Sequence, residues 1–260
     1  SSLIETFTLA KKWENGIDVN FSYAHSEIED RISATGTSTN TAYEFNPVFD
    51  PENPEIGTSS FETKHRLTLN LSYSTEFIEG YSSSFHMFWE RKSARPYSWV
   101  LRNNSSTGLS GELDLGSAFI PYIPTSATDP AVDFVNGMSY DEIMGQVSNI
   151  GGPMDGGYID KNSFRGPWVS TIDFRFEQEI PGFMEGHKGS VFFVIENLGN
   201  LLNDDWGVMR KGNFVGNRVV KASIVDGKYV YSDFNADAAT QSVQKDVSVW
   251  EMRFGVKYTF

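Results

Sequence analysis

Residues 250–260 read W-E-M-R-F-G-V-K-Y-T-F, and this stretch decides the fold. Side chains along a β-strand point alternately to opposite faces, so this strand has one apolar face and one polar face. The apolar face holds Trp250, Met252, Phe254, Val256, Tyr258 and Phe260. Aromatic residues at both ends of such a face are typical of outer-membrane β-barrels. The stretch therefore predicts a membrane-barrel strand, although a soluble β-sandwich can use the same alternation.

The composition is consistent with a β-barrel, and it excludes a helical membrane protein and a fold held together by disulfides. The 260 residues are 39% apolar, with no apolar run of the ~18 residues that a membrane-spanning helix needs. Barrel strands alternate, so their mean hydropathy stays close to that of soluble proteins. Cysteine is absent, which excludes disulfides and thiolate chemistry. Strand-like sequence follows Ser1 directly, so we expect the natural N-terminus to lie upstream.

Negative charge is concentrated in two stretches that lack strand alternation. The net charge is −13; residues 27–60 hold seven acids and one Arg, and residues 103–160 hold eight acids and no Lys or Arg. The rest of the chain is close to neutral. A nucleic-acid-binding protein needs a basic face, so nucleic acid is not an expected partner. On charge alone, acidic loops favour cationic ligands or bridge lipopolysaccharide through divalent ions.

Alternating segments form hairpins separated by long loops. Residues 3–26 are predicted as a hairpin turning at 14–16, with Phe7 opposite Tyr23 and Lys12 opposite Asp18. A second hairpin pairs 61–75 with 82–101 around 78–80, placing Leu71 opposite Phe85. Strands at 165–180 and 190–201 follow, and a last strand covers 247–260. Long loops are predicted at 27–60, 102–163 and 202–246.

Two of these loops are predicted to contain structure of their own. Ser139-x-x-Glu142 is a capping box, and residues 151–153 (G-G-P) provide a stop, so one short helix is expected between them. Asp226-Gly227 predicts a small hairpin in the third loop.

Short and long connections alternate along the whole chain, as the periplasmic turns and extracellular loops of outer-membrane barrels do. The count is about seven long strands. Bacterial single-chain barrels have even strand numbers, and seven strands with two unpaired edges do not close. The predicted fold is therefore all-β: a transmembrane antiparallel β-barrel in which residues 1–260 form the C-terminal part of a larger barrel.

Several motifs resemble the C-terminal barrel of TonB-dependent outer-membrane receptors, most closely the Oar-like subfamily. They are N-x-F-R-G-P-W at 162–168 with D-F-R-F-x-Q-E at 173–179, E-N-L-x-N-L-L-N at 196–203 with W-G at 206–207, R-F-G-x-x-Y-x-F at 253–260, and Y-I-P at 122–124 with D-P at 129–130. The resemblance is close over residues 165–260 and looser over 1–160.

The resemblance implies a bacterial outer-membrane transporter for a bulky ligand. Such a barrel has about 22 strands and a plugged lumen. Energy arrives through a TonB-type coupling protein that contacts an N-terminal segment, and neither that segment nor the plug domain is part of this chain. Phe260, with Tyr258, matches the signal read by the barrel-assembly machinery. Lipid and lipopolysaccharide are the surrounding partners.

Position on the strands suggests roles for the remaining candidate residues. Four tryptophans, Trp13, Trp89, Trp168 and Trp250, are predicted as membrane-interface residues rather than sugar-stacking platforms. Eight charges fall on polar strand faces and are predicted to face the lumen: Lys12, Asp18, Arg66, Glu90, Asp173, Arg175, Arg253 and Lys257. Mixed signs suit a hydrated wall crossed by salt bridges.

Metal binding and catalysis receive little support from the sequence. The four histidines show no ligand spacing, because His65 and His86 fall on opposite faces and His25 and His187 lie near different ends. Loop Ca²⁺ is considered at two acidic clusters, Asp50 with Glu52 and Glu55, and Asp204 with Asp205. No acid pair stands out for glycoside hydrolysis, so no enzyme activity and no resident cofactor are expected.

The alternative interpretation is a soluble or surface-exposed β-sandwich that binds glycans or mediates adhesion. The two differ in a checkable way. A sandwich requires Trp250, Phe254 and Tyr258 to be buried in protein, whereas a barrel strand leaves them uncovered by protein.

Overall fold

The computed structural model describes residues 1–33, 45–50, 53–101, 119–213 and 216–260. Seven long strands dominate it: β1 (Ser2–Lys12), β2 (Ile17–Asp30), β3 (His65–Ile78), β4 (Tyr81–Lys92), β5 (Val169–Pro181), β6 (Lys188–Glu196) and β7 (Glu251–Thr259). Their number and approximate positions agree with the predicted set of about seven strands.

The seven long strands form one antiparallel sheet in chain order, β1 through β7. One further strand of two residues, Gly57–Thr58, pairs with the end of β2. Within the described residues the order begins at β1 and ends at β7, and these two strands do not pair with each other. The sheet is therefore open, with two free edges.

The first hairpin has the predicted register. Phe7 lies opposite Tyr23 and Lys12 opposite Asp18, and the Trp13 N–H donates to the Ile17 carbonyl at 2.8 Å. Gly16 has a φ of 87°, and a Cβ there would lie 2.1 Å from the carbonyl oxygen of Ser74 on β3. Only glycine fits this turn, because the residue has a positive φ and the backbone of β3 at Ser74 leaves no room for a Cβ.

The register predicted for the second hairpin is wrong by two residues. Leu71 lies opposite Met87 rather than Phe85. The turn is tighter than predicted, with Ile78 opposite Tyr81, and the pairing is irregular between Thr75 and Ile78, just before the turn. A shift of two residues keeps every side chain on its predicted face. Arg66 and Glu90 are diagonal neighbours across this hairpin, with Arg66 Nε 2.7 Å from Glu90 Oε1.

Several predicted strand ends are also wrong. The strand predicted at 190–201 ends at Glu196, because Asn197 takes a left-handed conformation (φ 52°) and a short helix α2 (Leu198–Leu202) follows. The Asn197 Nδ2 donates to the carbonyls of Gly207 and Ser248, which ties this helix to the approach to β7. Residues 245–248, next to the predicted start at 247, form helix α3 (Lys245–Ser248).

The long connections all leave the same end of the sheet and fold together. Strands Trp99–Leu101, Asn217–Val225, Lys228–Phe234 and Val132–Phe134 form a four-stranded sheet in that order. Its outer pairs are parallel and its central pair is the hairpin predicted at Asp226-Gly227. Helix α1 (Tyr140–Asn149) packs against it through Ile143, Met144 and Val147. We call this sheet and helix the cap.

Ser139 is confirmed as the N-cap of α1, since its hydroxyl accepts the Glu142 N–H at 3.3 Å. The helix predicted between Ser139 and residues 151–153 is α1, and the structure adds α2, α3 and the 3₁₀ turn Ala236–Ala239, which the sequence did not predict. Further two-residue strands lie at Pro96–Tyr97, Tyr122–Ile123, Gly157–Tyr158, Phe164–Arg165, Arg210–Lys211 and Ser242–Val243. The long strand expected at 82–101 is divided, since β4 ends at Lys92.

The buried hydrophobic core lies mainly in the cap and not between layers of the long sheet. Its fully buried side chains include Trp99, Leu101, Ile123, Ile143, Val219 and Tyr231. The long strands, in contrast, are half-buried or exposed over most of their length. Among the described residues, no helix is long and apolar enough to cross a membrane.

Candidate functional site

One face of the seven-stranded sheet is apolar from strand to strand, and we call it the apolar face. Cross-strand neighbours form continuous rows on it. One row from β2 to β7 consists of Val19, Leu71, Met87, Phe174, Ile195 and Met252, and the next of Ile17, Tyr73, Phe85, Phe176, Phe193 and Phe254. Rows of this kind arise only when each strand keeps the same two-residue alternation in register with its neighbours.

No second protein layer covers the apolar face at its edges in the described residues. Phe254 is 72% exposed, Trp250 40% and Tyr258 39%, and Phe7 on the opposite edge is 59% exposed. The burial of Trp250, Phe254 and Tyr258 that a sandwich requires is therefore absent. An uncovered apolar surface of this extent marks a site of interaction with something other than water.

Amphipathic side chains border the apolar face at both ends. Trp13 lies at the short-turn end, and Trp89, Trp168 and Trp250 lie toward the cap. The Trp89 indole N–H donates to the Ser170 hydroxyl at 2.8 Å. Near the short-turn end, the Tyr258 hydroxyl lies 2.8 Å from His187 Nδ1. Trp89 and Tyr258 thus combine an apolar ring with a hydrogen-bonded polar tip, as residues at a membrane–water boundary do.

The length of the last strand can be compared with that of strands in known outer-membrane barrels. Ten residue steps separate Trp250 from Phe260. At about 3.3 Å per residue and a tilt of roughly 40°, that distance projects to about 25 Å, the height of the apolar band in outer-membrane barrels.

The opposite, polar face holds all eight charges predicted as lumen-facing. Lys12 and Asp18 are opposite each other, and one cross-strand row runs from Asp18 through Arg175 to Arg253. Glu90 accepts from both Arg66 and Lys92, at 2.7 and 2.5 Å. The remaining contacts on this face include Arg175 with Glu177 at 2.6 Å, Asp173 with the Asn197 N–H at 2.8 Å, and Arg253 with Glu196 and Glu251. Lys257 lies on the same face, opposite Ser190.

A close contact on the polar face explains Gly255. The Phe192 ring lies over this residue, so that a Cβ at Gly255 would come 2.2 Å from the ring. The Arg175 guanidinium carbon also lies over this ring, 4.8 Å from the ring centroid. An aromatic ring covering a strand glycine fixes strand register.

A shallow depression of about 200 Å³ lies across the middle of the polar face. Its polar lining includes Asn70, Ser72, His86, Asp173, Arg175 and Glu196. It is open to the side on which the sheet would enclose a lumen. Its charges have both signs, since Asp173 and Glu196 supply carboxylates and Arg175 supplies a guanidinium group.

The histidine prediction missed one pair. His25 and His65 are directly opposite on β2 and β3, with ring centroids 5.0 Å apart, and Trp168 stacks on His65 at 5.5 Å. The alternation contains a signal for this pairing, because each histidine is two residues from an apolar-face residue, Tyr23 or Leu67. In the described part of the chain, no group of three or more His, Asp or Glu is arranged to hold a metal.

The two clusters considered for Ca²⁺ lie in connections at the cap end. Asp204 and Asp205 are exposed, and their main chains are held by the side chains of Asn200 and Asn203. Glu55 is exposed, and Glu52 lies outside the described residues. Loop Ca²⁺ therefore stays an untested prediction.

Asp129 organises the segment that leads into the cap. Burial would raise the pKa of this carboxyl, but hydrogen bonds outweigh burial and lower the pKa to about 2. The donors are the N–H groups of Thr125 and Ala131, both at 2.9 Å, and the hydroxyls of Thr125 and Tyr122, at 2.8 and 2.9 Å. Nearby, burial raises the pKa of Tyr229 to about 12, so the tyrosines around Asp129 are neutral at physiological pH.

Acid is expected to loosen this part of the cap. The pKa of Asp129 is about 2 in the folded chain against 3.8 ordinarily, so ionised Asp129 stabilises the fold above about pH 4, and this stabilisation is lost as the pH falls toward 2. Asp129→Asn should cost about 1–3 kcal/mol at neutral pH and remove this acid dependence. Hydrogen–deuterium exchange of amides 120–134, corrected for the pH dependence of intrinsic exchange rates, measures how much protection this segment loses in acid. Asp133→Asn, at an exposed position, is the control; an unchanged acid profile in Asp129→Asn would contradict the assignment.

No described protein family, no curated protein and no solved structure matches this chain.

Proposed function

We propose that this chain forms part of the wall of a bacterial outer-membrane β-barrel that transports a bulky ligand with TonB-type energy coupling. The observation that carries the proposal is the apolar face, which is continuous across the seven long strands and uncovered at its edges. In water such a surface would drive aggregation, whereas in a bilayer it is the stable arrangement.

Connection lengths support the same orientation. The three short turns lie at one end of the sheet, and the three long connections, two of which build the cap, lie at the other. In outer-membrane barrels the short turns are periplasmic and the long loops extracellular. The cap would then face the medium, and the polar face would line the lumen.

The free edges of β1 and β7 support a larger barrel, because an open edge in a bilayer leaves backbone donors and acceptors without partners. We infer that further strands of the full protein pair with both edges. Transport and TonB coupling rest on the resemblance of residues 162–168, 196–203 and 253–260 to TonB-dependent receptors. Tyr258 and Phe260 would act as the assembly signal. No catalytic step is part of this proposal.

The test is the location and assembly of the full-length protein with and without Phe260. The proposal predicts recovery in the outer-membrane fraction, with heat-dependent electrophoretic migration typical of a folded barrel, and loss of both on deletion of Phe260. Phe183→Ala, which removes another highly exposed phenylalanine at the same end of the sheet, is the matched control. A folded, water-soluble product that is indifferent to Phe260 would contradict the proposal and favour the adhesion module.

A further inference from the structure

A cleft of about 200 Å³ opens where all three long connections meet. The first connection contributes Phe45 and Ser60, the second Arg95 and Tyr97, and the third Lys211 and Asn213. Since each connection supplies side chains, the cleft exists only when the three are folded against one another. This position would be open to the medium at the extracellular end of the proposed barrel.

The charge of the cleft is opposite to that of the chain. The whole sequence has a net charge of −13, and its most acidic parts are residues 27–60 and 103–160, which contain most of the first two long connections. Yet the described lining of this cleft includes two cations, Arg95 and Lys211, and no carboxylate. Neither cation forms an ion pair with any described residue. Two cations that have no ion-pair partner among the described residues favour a negatively charged ligand and not the cationic ligands expected from the acidic loops.

The aromatic part of the cleft is held in place before any ligand arrives. The Tyr97 hydroxyl accepts the Gln241 Nε2–H at 2.8 Å, and the ring packs against Phe164 with centroids 5.9 Å apart. Gly212 lies so close that a Cβ there would be 2.7 Å from Tyr97. These contacts hold the half-buried ring in place, so a flat or ring-shaped group would pack against it at low entropic cost.

The floor and one cation of the cleft are also fixed. Asn162 is buried, and its Nδ2 donates to the Thr58 carbonyl at 2.7 Å and to the Ser60 hydroxyl at 3.0 Å, which joins the first connection to the second. The Arg95 guanidinium carbon lies 5.9 Å from the centre of the Phe61 ring. Cations and a ring are therefore presented together on a rigid base.

We propose that this cleft binds an acidic sugar unit, a ring that bears a carboxylate, at the end of an oligosaccharide. Arg95 and Lys211 would bind the carboxylate through charge-assisted hydrogen bonds, and the apolar side of the sugar ring would stack near Tyr97. The inference rests on the proposed function, because it assigns a ligand class to the extracellular end of that barrel.

The test measures binding of trigalacturonate to the full-length protein purified in detergent, by calorimetry at low salt. Maltotriose, a neutral trisaccharide, and inorganic phosphate are the comparison ligands. The combined variant Arg95→Gln and Lys211→Gln should weaken trigalacturonate binding by about tenfold or more, because it removes both charged donors. Lys228→Gln, which removes a cap cation that pairs with Asp133 outside the cleft, should leave binding unchanged.

The outcomes separate the ligand inference from the proposed function. Binding of trigalacturonate but not maltotriose, weakened only in the cleft variant, supports the inference. Absent binding, equal effects of the cleft and control variants, or equal competition by inorganic phosphate would each overturn it. Outer-membrane recovery of the same variants is measured in parallel. If the barrel assembles correctly but does not bind trigalacturonate in the cleft, the ligand inference is wrong and the transport proposal is unaffected.

Discussion

Phe7→Arg is expected to destabilise the membrane-assembled protein by about 2–4 kcal/mol, the cost of a cation near the bilayer midplane on a barrel's lipid face. Phe7 lies in the middle of β1, points to the apolar face and is 59% exposed. An exposed residue of a water-soluble protein would tolerate this change within about 0.5 kcal/mol. The substitution therefore gives a large effect only if lipid contacts this face. The free energy of unfolding by guanidinium in lipid vesicles measures it.

Thr6→Arg is the matched control, because Thr6 is the adjacent residue at nearly the same depth and points to the polar face. It should change the unfolding free energy by no more than about 0.5 kcal/mol. Equal effects of the two substitutions would show that the faces do not differ in environment and would contradict the lipid assignment of the apolar face.

Asp30→Asn is expected to cost about 3–5 kcal/mol, because it leaves a buried ammonium group without its carboxylate. Lys161, from the second long connection, is almost fully buried, and its Nζ lies 2.7 Å from Asp30 Oδ1 at the end of β2. The Nζ also donates to the Arg31 carbonyl at 3.1 Å, which alone does not compensate a positive charge. This ion pair joins the long sheet to the connections above it, so its loss should loosen that junction.

A double-mutant cycle of Asp30→Asn with Lys161→Met separates the cost of an uncompensated buried charge from other effects of the substitution on the fold. The double variant should recover most of the lost stability, since no uncompensated charge remains. Asp133→Asn, which breaks the exposed pair with Lys228 at 3.2 Å, should cost less than about 1 kcal/mol. The free energies of unfolding of the unmodified protein, the single variants and the double variant are measured in lipid vesicles. A double variant as unstable as Asp30→Asn alone would refute the buried-charge explanation.

Local features of the fold were predictable because their causes are local. The alternation of residues 250–260 requires only a two-residue period, and the face of each side chain on β7 follows from it. The Ser139 cap of α1 follows from a hydroxyl placed three residues before Glu142. The first hairpin register follows from a three-residue loop with Gly16 in the left-handed region.

Features that depend on distant contacts were not predictable. The cap places Trp99–Leu101 parallel to the strand that starts at Asn217, and nothing in the period of either segment specifies that pairing. The register predicted for the second hairpin differs from the observed register by two residues. Both registers keep each side chain on the same face, and the irregularity before Ile78 has no sequence signature. The cleft cations Arg95 and Lys211 are far apart in sequence and came together only through the folded connections.

The most direct test of the central claim is the environment of successive residues along β7. The chain has no cysteine, so single cysteines introduced from 251 to 257 can each take one environment-sensitive fluorophore. In vesicles with quenchers on the acyl chains, a membrane strand predicts strong fluorescence quenching at 252, 254 and 256 and little at 251, 253 and 257. Quenching that is absent, or that does not alternate, would contradict a membrane strand.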